Sequence, residues 1–578
     1  MADCDLLIRN ALVIDGTGSE AYSGDVAVND GRIVSTDAEA SRGREEIDAK
    51  GLVLTPGFVD IHTHFDGQVT WSNRLEPSSN HGATTVVMGN CGVGFAPFHP
   101  KDRDLAVRMM EGVEDIPGEV LRLGLPWQWT SFPEYLAFLA SREFDADVAA
   151  YVPHSPLRLF VMGERGLARE PATADDMRAM ARLVTEAIEA GAIGFATART
   201  LQHRTSDGLL MPPITAGESE LLAIARAMAA LGRGVMQVNT DFRDPEVDFG
   251  LLARLAANSG VPLSFSLMQF HDAPDGWRNV LDLLEQATAQ GLPIKAQVTP
   301  RPIGIMMSLE GSRAPFSATP TYRALAGKPF AERLAALRQP AVREAILAEF
   351  RASPVVPGVK NGARLDNIYE MAPEADYVPD AEQSVEAAAR RAGVEPIAYV
   401  YDLLVGGDGR TLLYNPAVNF HERTTDAVRT MTAHPDTLIG LGDGGAHVRG
   451  ICDASVMTYL LTHCVRRGEL SLPYAIRALT ARNAEAVGFT DRGVVAPGYR
   501  ADLNLIDMDR LALHRPYIAY DLPGGGAQLK QEATGYAATF VNGIMTRRDG
   551  APTGALPGRL ASPSSAPVAA RTREAIAC

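Results

Sequence analysis

Cysteine is scarce in this chain of 578 residues, which excludes a fold that depends on a disulfide framework. There are five cysteines, an odd number, and no two of them stand in a CxxC arrangement. Such sparing use of cysteine is typical of a reducing compartment. We therefore expect a cytoplasmic location, in which single cysteines remain available as thiols.

Long hydrophobic runs and surplus positive charge are also missing. No stretch approaches the roughly 18 consecutive apolar residues that a transmembrane helix needs, and the acidic residues that follow Met1 argue against a signal peptide. With 54 Lys and Arg residues against 70 Asp and Glu residues, the net charge is −16. This balance opposes binding to nucleic acid or to an anionic membrane surface. The expected partner is a small-molecule substrate, with no nucleic acid and no membrane involved.

What the sequence does contain is a regular alternation of short apolar runs with segments of helical periodicity. This alternation is typical of βα units around a parallel sheet. Eight such units predict an α/β fold with a (β/α)8 TIM-like barrel over residues 58–485. The predicted strands are Phe58–His62, Thr84–Met88, Val148–Val152, Gly194–Thr197, Val235–Val238, Leu263–Met268, Ile294–Val298 and Leu438–Gly442. The predicted helices between them include Ala174–Ala190, Glu218–Leu231, Asp248–Ser259 and Trp277–Gln290.

Both ends of the chain and one long internal segment fall outside this barrel. Short β-branched runs separated by turns predict strands within residues 1–57 and 486–550, which we expect to form one composite β-sandwich. Residues from about 301 to 435 are too many for a single loop after strand seven, so they predict a helical insertion at the barrel mouth. Residues 551–578, rich in Ala, Pro, Ser and Arg, predict a flexible tail. The predicted helices of the insertion are Phe330–Leu337, Ala341–Ala352, Ser384–Ala392 and Ile397–Leu404.

The strongest local motif is a pair of histidines, His62 and His64, at the end of the first predicted strand. Residues at i and i+2 of a strand point to the same face, and the C-terminal ends of barrel strands carry the active sites of such enzymes. Two neutral imidazoles placed there can form one edge of a divalent-metal site. The alternative is a chance pair of surface histidines, which the flanking Pro56-Gly57 and Asp60 make less attractive.

Two other strand ends deliver residues suited to metal chemistry. Cys91 follows the second strand in a glycine-rich turn, where a thiolate could bind zinc, although a small buried hydrophobic residue is the alternative. Asp443 follows the eighth strand, where it could bind a metal and accept a proton from water. The alternative for Asp443-Gly444-Gly445 is a simple turn. Features of this kind at strands one, two and eight support one another.

With these motifs in place, the sequence resembles the amidohydrolase superfamily and, within it, the N-acyl-D-amino-acid deacylases, or D-aminoacylases. The resemblance covers nearly the whole chain, and its motifs lie at residues 56–64, 89–92, 434–444 and 493–502. In that family the strand-one histidines and the strand-eight Asp bind one zinc, the strand-two Cys is also a metal ligand, and the Asp activates the attacking water. Carried over, the resemblance implies a Zn²⁺ cofactor and Asp443 as the catalytic residue. The implied metal ligands are His62, His64, Cys91 and Asp443.

One part of the family pattern is absent. The family places a metal-binding histidine at the end of strand five and another at the end of strand six. Here Asp241 or Asn239 stands where the strand-five histidine is expected, and strand six runs into Gln269 with His271 beyond the expected position. One zinc per chain is therefore the economical expectation, with complete loss of the metal as the alternative. Further residues that could approach the metal are Asp241, His154, His203 and His447.

Candidates for binding the substrate are fewer. Arg301 follows strand seven, where the family receives the carboxylate of an acyl-amino acid, and a guanidinium matches a carboxylate through two parallel hydrogen bonds. Arg199, after strand four, and His447, after strand eight, are further candidates. Of the three candidates, Arg301 is the one that the position after strand seven favours.

The resulting hypothesis is a metal-dependent hydrolase that cleaves the linear amide C–N bond of an N-acyl (D-)amino acid or a related N-acyl compound. One alternative on the same barrel is a hydrolase of cyclic amides, imides or lactones. Another is a binding protein that has lost catalysis, which the missing histidines would explain. Barrels of this resemblance commonly pair, so a homo-oligomer is expected.

Overall fold

The centre of the computed structural model, which describes residues 3–38, 41–352 and 364–563, is an eight-stranded parallel sheet. Each strand pairs with the next along the chain, from the first to the eighth. The strands are Phe58–Asp60, Ala83–Met88, Asp147–Pro153, Gly194–Arg199, Val235–Thr240, Leu263–Ser266, Ile294–Val298 and Thr437–Ile439. All eight coincide with the predicted runs, so the TIM-like barrel is confirmed.

The barrel closes between its first and eighth strands through the segments that carry the predicted metal ligands. Beyond the short strands themselves, the backbone N–H of His64 donates to the carbonyl of Gly444 (2.7 Å). The backbone N–H of Asp443 donates to the carbonyl of His62 (3.0 Å). The hydrogen bonds of the closure therefore fix the position of His62 relative to Asp443.

A buried asparagine strengthens the same closure. The side-chain amide of Asn483, in the helix Ala481–Ala486, donates to the carbonyls of Val59 (2.9 Å) and Ile439 (2.8 Å). Those carbonyls belong to the first and the eighth strand, so a single side chain joins the two strands.

Amphipathic helices cover the outside of the barrel. Sequence features set their starts: Thr173 forms a capping box with Asp176, and the side chain of Asp244 caps the helix that follows it. These helices are Ala174–Glu189, Glu218–Leu231, Pro245–Ser259, Gly276–Ala289, Asp426–Ala433, Leu472–Leu479 and Ala481–Ala486. The four helices predicted between strands three and seven are confirmed, with small shifts at their ends.

A second group of helices, which the sequence analysis did not predict, lies around the second and third strands. Its members are Arg103–Glu114, Gly118–Gly124, Phe132–Ala140, His154–Met162 and Glu164–Leu167. Their buried faces join the main core of the barrel, for example at Met110 and Leu136. The shorter helical turns are Gln68–Trp71, Ser78–His81, Asn90–Gly92, Pro100–Asp102, Pro212–Thr215, Val456–Tyr459 and Leu460–Val465.

Both ends of the chain contribute strands to one nine-stranded sheet. The two contributions meet where Val53–Pro56 pairs antiparallel with Leu503–Ile506. The other strands of this sheet are Cys4–Val13, Tyr22–Asn29, Arg32–Ser35, Gly43–Asp48, Tyr536–Val541, Ile544–Arg548 and Ala551–Pro552. Two small hairpins pair Ala512–Leu513 with Ala533–Thr534 and Tyr517–Leu522 with Gly526–Lys530. The ends therefore share one sheet, while the domain limits at residues 57 and 486 remain predictions.

The segment after strand seven builds a small unit with a hydrophobic core of its own. Phe316, Ile346 and Tyr401 are among the buried residues of that core. Its helices are Pro320–Leu325, Phe330–Leu337, Pro340–Ala352, Val385–Ala392 and Pro396–Val405, and its strands are Ile303–Met307, Tyr369–Glu370 and Leu413–Val418. Short helical turns lie at Leu365–Asn367, Ala381–Gln383 and His421–Arg423. The four helices predicted within the insertion occur at the predicted places.

The prediction of a flexible tail from residue 551 is wrong for residues 551–563. Ala551–Pro552 forms the last strand of the composite sheet. Farther on, the N–H of Gly558 donates to the carbonyl of Phe144 (2.8 Å), and the N–H of Ala561 donates to the carbonyl of Val148 (2.7 Å). Composition alone cannot reveal such backbone pairing with a distant strand. The rest of the predicted tail, residues 564–578, lies outside the described residues.

None of the helices in the described residues is both long enough and apolar enough to cross a lipid bilayer. The predicted homo-oligomer and the predicted cytoplasmic location remain predictions.

Candidate metal centre and active site

The four residues predicted to hold a metal converge at the mouth of the barrel. The ligand atoms of His62, His64 and Cys91 all lie within 4.8 Å of one another. Sγ of Cys91 is 3.4 Å from Nε2 of His62. Oδ1 of Asp443 is 3.4 Å from Nε2 of His62 and 3.6 Å from Nε2 of His64. Ligand separations of about 3.3–3.6 Å are those that tetrahedral zinc with N, O and S ligands requires.

Local backbone conformation aims two of these side chains. Cys91 (φ +56°) and Asp443 (φ +48°) both lie in the left-handed region, which non-glycine residues seldom occupy. Neighbouring glycines help to make the turns: Gly89 and Gly92 also have positive φ, and a Cβ on Gly89 would come within 2.5 Å of a backbone oxygen. The glycine-rich turn after strand two is thus needed to present the thiol.

A glutamine from strand seven orients the first histidine. Oε1 of Gln297 lies 2.6 Å from Nδ1 of His62, and Nε2 of Gln297 donates to the hydroxyl of Ser264 (2.9 Å). An amide oxygen can only accept, so Nδ1 carries the proton and Nε2 presents its lone pair to the centre. Sequence analysis missed Gln297 because glutamine carries no chemical signature there.

A glutamate approaches the second histidine in the same way. Oε1 of Glu114 lies 3.3 Å from Nδ1 of His64, and both side chains are buried. Glu114 is the last residue of the helix Arg103–Glu114, which the sequence analysis did not predict. The only sequence signal would have been an acidic residue at the end of an amphipathic helix, which is common and unspecific.

The charges of the centre favour a cation. Burial opposes charge on the imidazoles, but the Cys91 thiolate and the carboxylates around them raise the pKa of both His62 and His64. Burial likewise disfavours the anionic groups, yet the adjacent imidazoles lower the pKa of Cys91 and hold the pKa of Asp443 well below its usual range. The same anions that attract protons to the histidines would stabilise a divalent cation in their place. The donor set of two imidazoles, a thiolate and a carboxylate suits zinc.

The positions expected to carry the strand-five ligand hold amides and a remote carboxylate. Oε1 of Gln237 accepts the backbone N–H of Cys91 (2.9 Å), and Nδ2 of Asn239 is 3.6 Å from the Cys91 sulfur. Asp241 instead accepts hydrogen bonds from Thr200 and from the N–H of Leu201 (3.0 Å). Among the described residues, Asp241 lies outside the cluster formed by His62, His64 and Cys91.

The loop histidines take different places. His154 lies in a buried network, with Thr197 at 2.8 Å and Glu220 at 2.9 Å from its two ring nitrogens, so it is a structural residue. Burial and the charges of His447 and of the metal-site histidines lower the pKa of His203 to about 3. The charge of His447 also contributes to the low pKa of Asp443.

The arginines predicted to bind substrate are already engaged. Arg301 is fully buried, donates to Asp453 (2.8 Å), and stacks 3.7 Å above the ring of Tyr377. Arg199 donates to the carbonyl of Ala216. Among the described residues, Nε and Nη1 of Arg301 are buried without a hydrogen-bond partner. The roles of Arg301 and Arg199 in substrate binding remain predictions.

A cleft of about 290 Å³ opens beside the centre. Its walls include Asp443, the Gly444-Gly445 turn, Asp453 and Gln528. Of the four candidate ligands, Asp443 is the one that lines this cleft, with 17% of its side chain exposed. Asp443 is therefore the candidate ligand that a small molecule in the cleft would contact.

Comparisons with known proteins agree with this arrangement. A model of the amidohydrolase family matches residues 45–546. The chain is 29% identical to the N-acyl-D-aspartate deacylase of Alcaligenes xylosoxydans xylosoxydans over 586 residues, covering 98% of this chain and 96% of that protein. It is 33% identical to the N-acyl-D-glutamate deacylase of the same organism over 229 residues, covering 39% of this chain and 42% of that protein.

Solved structures share the fold. One is the N-acyl-D-glutamate deacylase from Bordetella bronchiseptica, complexed with zinc and a phosphonate inhibitor, with a TM-score of 0.63 and 24% identity over 97% of this chain and 99% of that chain. A D-aminoacylase crystal structure has a TM-score of 0.62 and 24% identity, over 96% of this chain and 99% of that chain. At this identity the likeness establishes the architecture alone.

Proposed function

Because the chain belongs to the amidohydrolase family, we propose that it is a zinc-dependent deacylase that cleaves the linear amide bond of an N-acyl amino acid. At the coarser level, it is a hydrolase acting on carbon–nitrogen bonds other than peptide bonds. The observation that carries the proposal is the convergence of two imidazoles, a thiol and a carboxylate at one point of the barrel mouth. For catalysis, a zinc ion held by this ligand set would also have to take up a water molecule from the cleft beside Asp443.

Asp443 is the residue that moves the proton. Zinc held by these side chains would polarise the amide carbonyl as a Lewis acid and lower the pKa of a water molecule towards neutrality. The Asp443 carboxylate is ionised, since the neighbouring imidazoles keep its pKa low against the effect of burial. It accepts a proton from the attacking water and returns it to the nitrogen of the leaving amine. Its position at the cleft supports this role, because both histidines are enclosed.

The amide residues of strand five support one zinc per chain. A second metal ion next to Cys91 would need ligands from strands five and six, and neither strand offers an imidazole. Gln237 uses its oxygen to hold the backbone of Cys91 instead. An amide is a weak zinc ligand compared with imidazole or thiolate. We therefore infer that His62, His64, Cys91 and Asp443 form the whole ligand set.

The amino-acid part of the substrate is inferred from the relatives, which are named for N-acyl-D-aspartate and N-acyl-D-glutamate. We propose a substrate of this class, an N-acyl-D-amino acid with an acidic side chain. His447 stands in the sequence between Ala446 and Val448, which line the cleft, and we propose it as a substrate-binding residue. Arg301 is fully buried and pairs with Asp453 through Nη2, while its Nε and Nη1 have no hydrogen-bond partner among the described residues.

Metal content and a substrate panel together test the proposal. Protein purified without chelator is analysed for zinc by plasma mass spectrometry and assayed with N-acetyl-D-Asp, N-acetyl-D-Glu, N-acetyl-D-Leu, their L enantiomers and cyclic imides. We expect about one zinc per chain and preferential hydrolysis of linear D substrates. Protein that ignores added zinc, or that hydrolyses only cyclic imides, would refute the proposal.

The chain offers a matched pair of cysteine variants for the same experiment. Cys91 and Cys464 are both unpaired and both 6% exposed, but Cys464 is not among the clustered ligands. Cys91→Ala should lower zinc content and activity together, because it removes one ligand of the centre. Cys464→Ala removes a thiol of equal burial and should change neither.

A further inference from the structure

A buried carboxylate stands beside the metal centre, and the mechanism proposed above leaves it without a role. Glu114 is 1% exposed, and neither of its side-chain oxygens makes a hydrogen bond within the described residues. Nδ1 of His64 likewise has no hydrogen-bond partner there, and Oε1 of Glu114 lies 3.3 Å from it. A buried carboxylate is costly unless a positive or donating group compensates it. His64 is the group placed to do so.

The main chain holds Glu114 firmly in this position. The N–H of Val448, in the loop after strand eight, donates to the Glu114 carbonyl (3.3 Å). The next residue, Asp115, ends the helix in a left-handed conformation (φ +54°) and accepts hydrogen bonds from Arg449 (2.7 Å) and Ser312. The carboxylate beside His64 is therefore anchored to the strand-eight loop and to the insertion, and it does not depend on a free surface side chain.

The two histidines of the centre have matching surroundings with one difference in charge. Nδ1 of His62 meets the neutral amide oxygen of Gln297, whereas Nδ1 of His64 meets the carboxylate of Glu114. In both rings Nε2 is left to face Asp443. A carboxylate that accepts the Nδ1 proton fixes the tautomer and makes Nε2 a stronger electron donor. Because the partner of His64 is a carboxylate and that of His62 a neutral amide, we expect Nε2 of His64 to be the stronger electron donor.

We propose that Glu114 is a positioning residue of the metal centre, whose carboxylate accepts the Nδ1–H of His64 and holds Nε2 towards the metal. This inference rests on the zinc site of the proposed function, but it concerns metal affinity and not the identity of the substrate. Glu114 touches neither substrate nor the reacting atoms. Its effect on catalysis passes through His64.

The decisive variant is Glu114→Gln, which keeps the size of the side chain and one accepting oxygen but removes the charge. Zinc dissociation constants are measured by competition with a chromophoric chelator, so that the readout does not depend on turnover. We expect the constant to rise about tenfold in Glu114→Gln and up to about a hundredfold in Glu114→Ala, the usual range for loss of an outer hydrogen-bond partner. When zinc is replaced by cobalt, the visible absorption spectrum of the Glu114→Gln variant should differ from that of the wild type.

Glu111→Gln is the matched control, because it makes the same change one turn earlier on the same helix. Glu111 accepts the N–H of Gly118 (3.0 Å). Among the described residues it makes no hydrogen bond or ion pair with His62 or His64. The zinc affinity of the Glu111→Gln variant should equal that of the wild type. A dissociation constant within about twofold of the wild type in Glu114→Gln would overturn the proposal.

A double-variant cycle separates positioning from support of the fold. In a His64→Ala background, Glu114→Gln should have no further effect on the remaining zinc affinity, since the ring that it orients is gone. Equal losses in both backgrounds would mean that Glu114 acts through the fold and would overturn the proposal. If Glu114→Ala does not fold, the isosteric Gln variant carries the test. A protein that binds zinc as expected but hydrolyses no N-acyl amino acid would refute the proposed function and leave this inference standing.

Discussion

The two halves of the barrel mouth differ in their chemistry. Strands one, two and eight end in imidazoles, a thiol and a carboxylate whose ligand atoms meet within a few ångströms. Strand five ends in amides that hold the backbone and the sulfur of Cys91 from behind. The ends of strands one, two and eight are suited to hold a cation, and the amides of strand five support Cys91. The difference teaches that a metal site can have ligands on one side of the mouth only, while amides on the other side keep one of those ligands oriented.

Replacing Asp443 is expected to have the largest effect, because Asp443 is the candidate ligand that lines the cleft. Asp443→Asn keeps the shape of the side chain but removes the proton acceptor, so kcat should fall about 10²–10⁴-fold. Most of the zinc should be retained, since two imidazoles and a thiol remain. Steady-state kinetics and plasma mass spectrometry of the same preparation check both points. Substantial turnover by this variant would remove Asp443 from the mechanism.

Replacing Gln237 examines the supporting half. Gln237→Ala leaves the buried N–H of Cys91 without its acceptor, which should lower the free energy of unfolding by about 1–3 kcal/mol. Zinc affinity should fall as well, because the turn that presents the thiol is loosened. Urea unfolding and chelator competition measure the two effects.

Gln286→Ala is the control for the strand-five variant, since Gln286 is exposed on an outer helix. It should change the free energy of unfolding by less than about 0.5 kcal/mol. If the two glutamine variants proved equally stable, the supporting role of strand five would be disproved.

A histidine outside both halves sharpens the comparison by its opposite pKa shift. Burial and the charge of Arg301 lower the pKa of His81 to about 3, whereas carboxylates raise the pKa of the centre's histidines. His81 contacts Thr458 (2.8 Å) and the carbonyl of Gln531 (3.1 Å) through its two ring nitrogens. Below pH 6.5 the unfolded chain binds a proton that folded His81 excludes, so its contribution to stability is full above that pH and is lost as the pH falls towards 3.

The expected size of this effect is small but measurable. Between pH 7.5 and pH 5.5 the single histidine should account for a loss of about 1.4 kcal/mol in the free energy of unfolding. His81→Gln should reduce the pH dependence by that amount in urea titrations. His514→Gln, at an exposed position, controls for the loss of an imidazole. An unchanged pH dependence in His81→Gln would show that folding does not lower the pKa of His81.

The parts of the fold that follow from local patterns could be predicted from the sequence. The eight strands are short apolar runs with clear ends, and Thr173 marks a helix start by its capping chemistry. His62 and His64 were visible because two imidazoles share one face of a strand. Cys91 and Asp443 were visible because they end strands that a barrel must bring together.

The parts that depend on contacts between distant segments could not be predicted. Glu114 and Gln297 reach the histidines from elements far along the chain, and neither residue has a distinctive neighbourhood in the sequence. Arg301 was visible as a cation, but Asp453, its buried partner, was not. Residues 551–563 have the composition of a loose tail and are held by backbone pairing that composition does not encode.

The hydrogen bonds that close the barrel also determine when the centre is completed. His62, His64 and Cys91 come early in the chain and Asp443 comes late, so the carboxylate joins the others only after the strands between them have been laid down. A chain that lacked its eighth strand would keep three of the four donors but not the residue that handles the proton. Activity thus requires the meeting of the first strand with the eighth.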